Sequence, residues 1–162
     1  MFDLDYDFDK WLANEKKVLF VTGLSGCGKS TLCKKLAKLN RVELIALDGY
    51  LNPLLRSLNQ NSNEYNFRQS VYKEGIETLL QQHPDKRIIF EGVQVFWMDR
   101  EKLKDHAVVV IKMSFIKSTL RAILRDFTWE HWQQYKHIAP WVHWNYNRIL
   151  LNPMKKLIEE LF

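Results

Sequence analysis

The clearest chemistry in this chain lies in Gly23-Leu24-Ser25-Gly26-Cys27-Gly28-Lys29-Ser30-Thr31. Every defined position of the pattern G-x-x-x-x-G-K-[ST] is filled. Gly23, Gly26 and Gly28 let the backbone curl until successive N–H groups point inward, a concave donor surface for phosphate oxygens. Lys29 brings a full positive charge to β- and γ-phosphates, and Ser30 offers a hydroxyl to magnesium. Ser25, Cys27 and Thr31 complete the expected contacts to a nucleotide such as ATP. The loop directly follows the apolar run 18–22 and leads into Leu32, Leu36 and Leu39 at helical spacing, so the positive end of a helix dipole faces it as well. A Gly-rich turn carrying a surface lysine would explain neither the spacing nor the flanks.

Two acids end later apolar runs. Asp48 follows run 42–47, at the carboxyl end of a strand, where open α/β sheets bind ligands. It could take the proton of an attacking hydroxyl or orient that hydroxyl, with Tyr50 and Arg68 as further substrate contacts. An Asp serving only a tight Asp-Gly turn is the competing explanation. Glu91 follows run 88–90 and is expected to hold magnesium, through water, or to touch substrate. Lys117, Arg121 and Arg125 are spaced i, i+4, i+8 and share one helix face. Arginines there could close over ATP and offset charge on a transferred phosphoryl group; the rival is a solvated basic face. On a mobile helix they would approach only when both substrates are bound.

These groups need a scaffold. Runs 18–22, 42–47, 88–90 and 107–113 are apolar on both faces and alternate with helical patterns, the signature of a parallel sheet covered on both sides. The expected fold is a three-layer α/β/α sandwich with a parallel sheet of four to five strands, as one domain over 1–162. The helix after 107–113 spans 116–127, within a lid region of about 116–128. Beyond it lies an aromatic, mostly helical tail of about 129–162. Pro140 and Pro153 interrupt that tail, and 148–151 is a poor candidate for a fifth strand. A sheet edge left there would be covered by tail aromatics or a partner chain. Asp3, Asp5, Asp7 and Asp9 alternate with other residues and read as a solvated lead-in. Trp129, Trp132, Trp141 and Trp144 suit packing, and His131, His137 and His143 match no usual ligand spacing.

From the loop onward the chain resembles the uridine kinase and pantothenate kinase group. Asp48-Gly49-Tyr50 is similar to that group's Asp-Asp-Phe-Tyr, Asn66-Phe67 to its Asn-Phe, and Phe90-Glu91-Gly92 to its Val-Glu-Gly. Arg121-Ala122-Ile123-Leu124-Arg125-Asp126 resembles its lid helix, and Gln134-Tyr135 and Pro140 the segment that follows. Arg68-Gln69 stands where the group has Asp-His, and Thr128-Trp129-Glu130 replaces its Arg-Gly-Arg. The resemblance makes the expected sandwich a P-loop kinase fold and implies an ATP- and magnesium-dependent kinase with a hydroxyl acceptor on a small metabolite such as a nucleoside. A hydroxyl on nucleic acid and a catalytically silent nucleotide-binding module are the alternatives.

Composition agrees with an anionic ligand. The net charge is +5, yet residues 1–15 carry −4, leaving +9 on the remainder. Asn-Lys-x-Asp, which reads guanine in many GTPases, is absent. No apolar run approaches the roughly 20 residues that span a bilayer, and Cys27 and Cys33 are expected to stay reduced in a cytoplasmic protein. A second copy of the chain remains open as a partner.

Overall fold

The computed structural model describes residues 4–58, 65–126 and 140–162. A short edge strand, β1 (Leu4–Tyr6), and one turn of helix, α1 (Phe8–Leu12), precede β2 (Val18–Gly23), the phosphate loop and α2 (Lys29–Asn40). Then come β3 (Glu43–Ala46), α3 (Leu47–Leu58), α4 (Tyr65–Gln82) and β4 (Ile88–Glu91). A 3-10 helix (Val93–Trp97), α5 (Arg100–Lys104), β5 (Ala107–Ile111), α6 (Phe115–Asp126) and α7 (Pro140–Leu161) complete the described chain.

The sheet has five strands in the order β1-β5-β2-β4-β3. β2 lies parallel to β4 and β5, with Val21 beside both Glu91 and Val109, and β3 is parallel to β4. Alternation along β2 separates two cores. Val18 and Phe20 point into one with Phe90, Val108, Leu47, Ile76, Leu150 and Leu157, covered by α3, α4 and α7. Leu19 and Val21 point into the other with Trp11, Cys33, Ile89 and Val109, covered by α1 and α2. The three layers expected from the run pattern are therefore present.

Three expectations change. The fifth strand comes from the start of the chain: Leu4–Tyr6 pairs antiparallel with β5, Leu4 opposite Val110 and Tyr6 opposite Val108. Leu4 and Tyr6 pack on the core while Asp5 faces away, so the acidic alternation was a period-two strand signal. Second, Pro153 does not interrupt the tail: residues 148–151 are helical, as expected of it, and α7 continues through Pro153. Leu150, Met154, Leu157 and Leu161 return at intervals of three and four and bury one face, which offsets the backbone hydrogen bond a proline forfeits. The β5 edge is thus closed by β1, with Phe162 edge-on to Tyr6 at 6.5 Å. Third, the run 42–47 is strand only over Glu43–Ala46; Asp48 lies in the first turn of α3, where a carboxylate suits the helix dipole, and the competing Asp-Gly turn is not formed. α4 also starts earlier than the pattern near Ser70 suggests.

Thr128, Trp129, Glu130, His131, Trp132, Gln134, Tyr135 and His137 lie outside the described residues. Trp144 is half exposed and stands edge-on to Phe115 at 4.4 Å. Both cysteines are free thiols in the core. Burial pushes the Cys33 thiol up to about 12 and raises that of Cys27 as well. Among the described residues, no helix is long and apolar enough to cross a membrane.

Candidate functional site

The phosphate loop joins the end of β2 to the start of α2 in the centre of the sheet, and the carboxyl end of β4 lies beside it. A cavity of about 360 Å3 opens there, lined by Ser25, Gly26, Gly28, Lys29, Ser30 and Thr31 from the loop and α2. Asp48, Glu91, Val93, Arg121, Arg125 and Tyr146 complete its lining. Lys29, Arg121 and Arg125 outnumber the two carboxylates, so the cavity favours an anion.

Backbone conformation explains why this sequence makes that loop. Gly26 has φ 84°, and a Cβ there would stand 2.3 Å from the Ser118 carbonyl oxygen and 2.9 Å from Ala122 N of α6. No other residue fits both the left-handed conformation and the close approach of α6. Lys29 is only 8% exposed, more buried than a loop–helix junction suggests. Its ammonium donates to the carbonyls of Gly23 at 3.1 Å and Leu24 at 3.0 Å, which compensate the buried charge. The Ser30 hydroxyl donates to Glu91 Oε1 at 2.9 Å. The β2–β4 register makes that contact, with Glu91 beside Val21 and Gly92 N–H donating to the Val21 carbonyl at 3.1 Å. A hydroxyl and a carboxylate beside a phosphate loop suit a hard cation that takes its remaining ligands from phosphate and water. Among the described residues no three His, Cys, Asp or Glu side chains form a metal cage.

Asp48 is exposed to the cavity, and its Oδ1 accepts a short hydrogen bond from Gln94 Nε2. Gln94 is buried on the 3-10 helix, and its Oε1 would stand 2.4 Å from a Cβ on Gly92. Glycine at 92 therefore leaves room for the amide that holds Asp48.

Among the residues singled out by sequence, Ser25, Gly26, Gly28, Lys29, Ser30, Thr31, Asp48, Glu91, Arg121 and Arg125 meet at the cavity. Gly23 and Cys27 do not line it. The Cys27 N–H donates within the loop to the Leu24 carbonyl at 3.2 Å, and its thiol is buried behind the loop. Tyr50 and Lys117 also stand away from it, and Arg68 falls on α4 with its side chain outside the described residues. Arg121 and Arg125 line the same cavity as the loop, and the close approach of Gly26 to the Ser118 carbonyl and Ala122 N seats α6 against that loop. Sequence reasoning passed over Gln94, Tyr146 and Asn147. The last is fully buried, and its side chain bonds both the loop at Ser25 and α6 at Thr119. Neutral amides carry no motif, and these partners meet only through tertiary folding.

Sheet order, loop and helix together define the P-loop kinase fold. The chain belongs to the AAA domain family, whose model matches residues 19–126. Among solved structures it is similar to shikimate kinase from Bacteroides thetaiotaomicron, with TM-score 0.62 and 15% identity over 89% of this chain and 82% of that one. It is also similar to a gluconokinase from Sinorhizobium meliloti 1021, with TM-score 0.54 and 16% identity over 84% of this chain and 75% of that one. At such identities the likeness is one of fold. No curated protein matches the sequence.

Proposed function

We propose that the chain is an ATP-dependent phosphotransferase that moves the γ-phosphoryl group of ATP to a hydroxyl of a small metabolite. The observation that carries this reading is the shared cavity: Asp48 opens onto the same space as Lys29, Ser30, Arg121 and Arg125. A nucleotide-binding loop alone needs no carboxylate across from it. The kinase names of both similar structures support the same class.

In this account the loop and the N-terminus of α2 hold the phosphates. Lys29 leaves its two carbonyl partners to meet the β- and γ-phosphates. Ser30 and Glu91 are the residues that would hold magnesium, which when bound draws charge from the phosphate oxygens. Asp48, oriented by Gln94, takes the acceptor's proton as the acceptor oxygen bonds to the γ-phosphorus. The bond from that phosphorus to the bridging oxygen breaks, and ADP leaves. Arg121 and Arg125 offset charge on the transferred group and at the leaving oxygen.

The resemblance to the uridine kinase and pantothenate kinase group favours a nucleoside or similar alcohol as acceptor. The +9 carried by the chain after residue 15 supports a second acceptor class, a hydroxyl on nucleic acid. Acceptor-dependent ADP release across nucleosides, sugars, vitamins and oligonucleotides tests the proposal and separates the classes. ADP release that no compound stimulates, with ATP bound, would leave a silent nucleotide-binding module.

A further inference from the structure

The C-terminal helix α7 reaches the phosphate loop through one side chain. Asn147 Oδ1 accepts the Ser25 N–H at 3.0 Å, and its Nδ2 donates to the Ser25 carbonyl at 3.2 Å and to Thr119 Oγ1 at 3.1 Å. The amide orientation is dictated by its partner: the N–H requires an acceptor and the carbonyl a donor, so only one flip satisfies both. A side chain 122 residues away in sequence thus pairs with Ser25 as a neighbouring strand would. Thr119, also buried, sits on α6, two residues before Arg121.

Ser25 N–H belongs to the peptide before Ser25 and its carbonyl to the peptide after it. Holding both fixes two successive peptide planes of the loop. In a trans peptide the N–H points opposite to the C=O. Drawing the Ser25 carbonyl towards Asn147 therefore turns the Gly26 N–H to the other side of the loop. A buried amide could serve stability alone, but stability does not require that its partner be a residue lining the phosphate cavity.

We infer that Asn147 is a positioning residue for the nucleotide: it fixes the Ser25 peptides in the arrangement that receives phosphate and joins loop, α6 and α7 into one unit. The inference rests on the reading of the loop as a triphosphate site. It goes beyond that reading by making the C-terminal helix part of nucleotide affinity.

The test compares Asn147→Ala and Asn147→Asp with Leu157→Ala, a packing loss elsewhere on α7, at a fully buried position outside the cavity. The aspartate keeps the acceptor for Ser25 N–H and loses both donations, and it serves where the alanine variant does not fold. Calorimetric titration with ATP and magnesium is read beside thermal midpoint, and backbone hydrogen exchange across 24–28 is read without nucleotide. Asn147→Ala should weaken ATP binding about 10- to 100-fold, as for a misplaced binding group, and speed exchange at Ser25 and Gly26. Asn147→Asp should also weaken binding. Leu157→Ala should lower the midpoint at least as far while leaving affinity and loop exchange near wild type. Wild-type affinity in both Asn147 variants, or an equal affinity loss in Leu157→Ala, overturns the inference and leaves the function untouched. Wild-type protein that binds no ATP overturns the functional reading itself, and the inference with it.

Discussion

Asp48 and Cys33 show how burial assigns different chemistry to single residues. Asp48 stays open to the cavity and its carboxylate receives one amide hydrogen bond, which orients it; in the proposed reaction it takes the proton of a bound alcohol. Replacing it by Asn keeps size and polarity but removes the base. Asp48→Asn should lower kcat by about 10²-fold or more with little change in ATP affinity, read by steady-state kinetics beside calorimetry. An ATP affinity that collapses while kcat holds would place Asp48 with the phosphates instead. Cys33 is sealed under the sheet, and burial holds its thiol protonated up to about 12 against an ordinary 9.0. The unfolded chain loses that proton near pH 9 while the folded chain keeps it, so the unfolded state binds fewer protons. Its contribution to stability is full below pH 9 and falls as pH rises from there towards 12. Denaturant titrations should show wild type losing more stability above pH 9 than Cys33→Ala does. Parallel curves for the two would contradict the buried-thiol account. At this scale the sequence was most legible where chemistry is local: the phosphate loop is one covalent stretch whose spacing alone implies its shape. Gln94 and Asn147 escaped because their partners, Asp48 and Ser25, lie far away in the chain.

At the scale of elements, strands apolar on both faces were readable because burial on both sides leaves no polar alternation to interpret. β1 was not, since its acids outweighed Leu4 and Tyr6 and its partner β5 is about a hundred residues away. The strand closes an edge that would otherwise offer Val108 and Val110 to another chain. Its following turn is tied down by Asp7, which pairs with Lys10 at 2.8 Å and Lys16 at 2.6 Å. Removing residues 1–7 should cost about 2 kcal/mol or more from the lost burial of Leu4 and Tyr6. The truncated protein should also self-associate through β5, seen as a lower thermal midpoint and larger species on size-exclusion chromatography. A monomer with an unchanged midpoint would mean that β1 contributes no edge protection. α7 was misread at Pro153 for a related reason: local propensity argued for a break, and the buried face from Leu150 to Leu161 outweighed it.

Across the whole molecule, the mostly parallel sheet brings the loop, the β4 carboxylate and the first turn of α3 to one end, while α6 and α7 line the same cavity. The positive balance of the chain after its acidic start suits a site that binds an anion. The fold class could be read from four apolar runs and a loop. The closing of the cavity by α6 and α7 could not, because it depends on Gly26 meeting Ser118 and on Asn147 bridging Ser25 and Thr119. The central claim is that this one cavity carries the γ-phosphoryl group from ATP to an alcohol. Its most direct test follows label from γ-labelled ATP with magnesium into a pool of nucleosides and other hydroxyl metabolites, using wild type and Lys29→Ala in parallel. The account predicts labelled acceptor with wild type and about 10³-fold less with a folded Lys29→Ala, since the variant loses the charge that meets the phosphates. Label that enters only inorganic phosphate, or equal transfer by the two proteins, would contradict it.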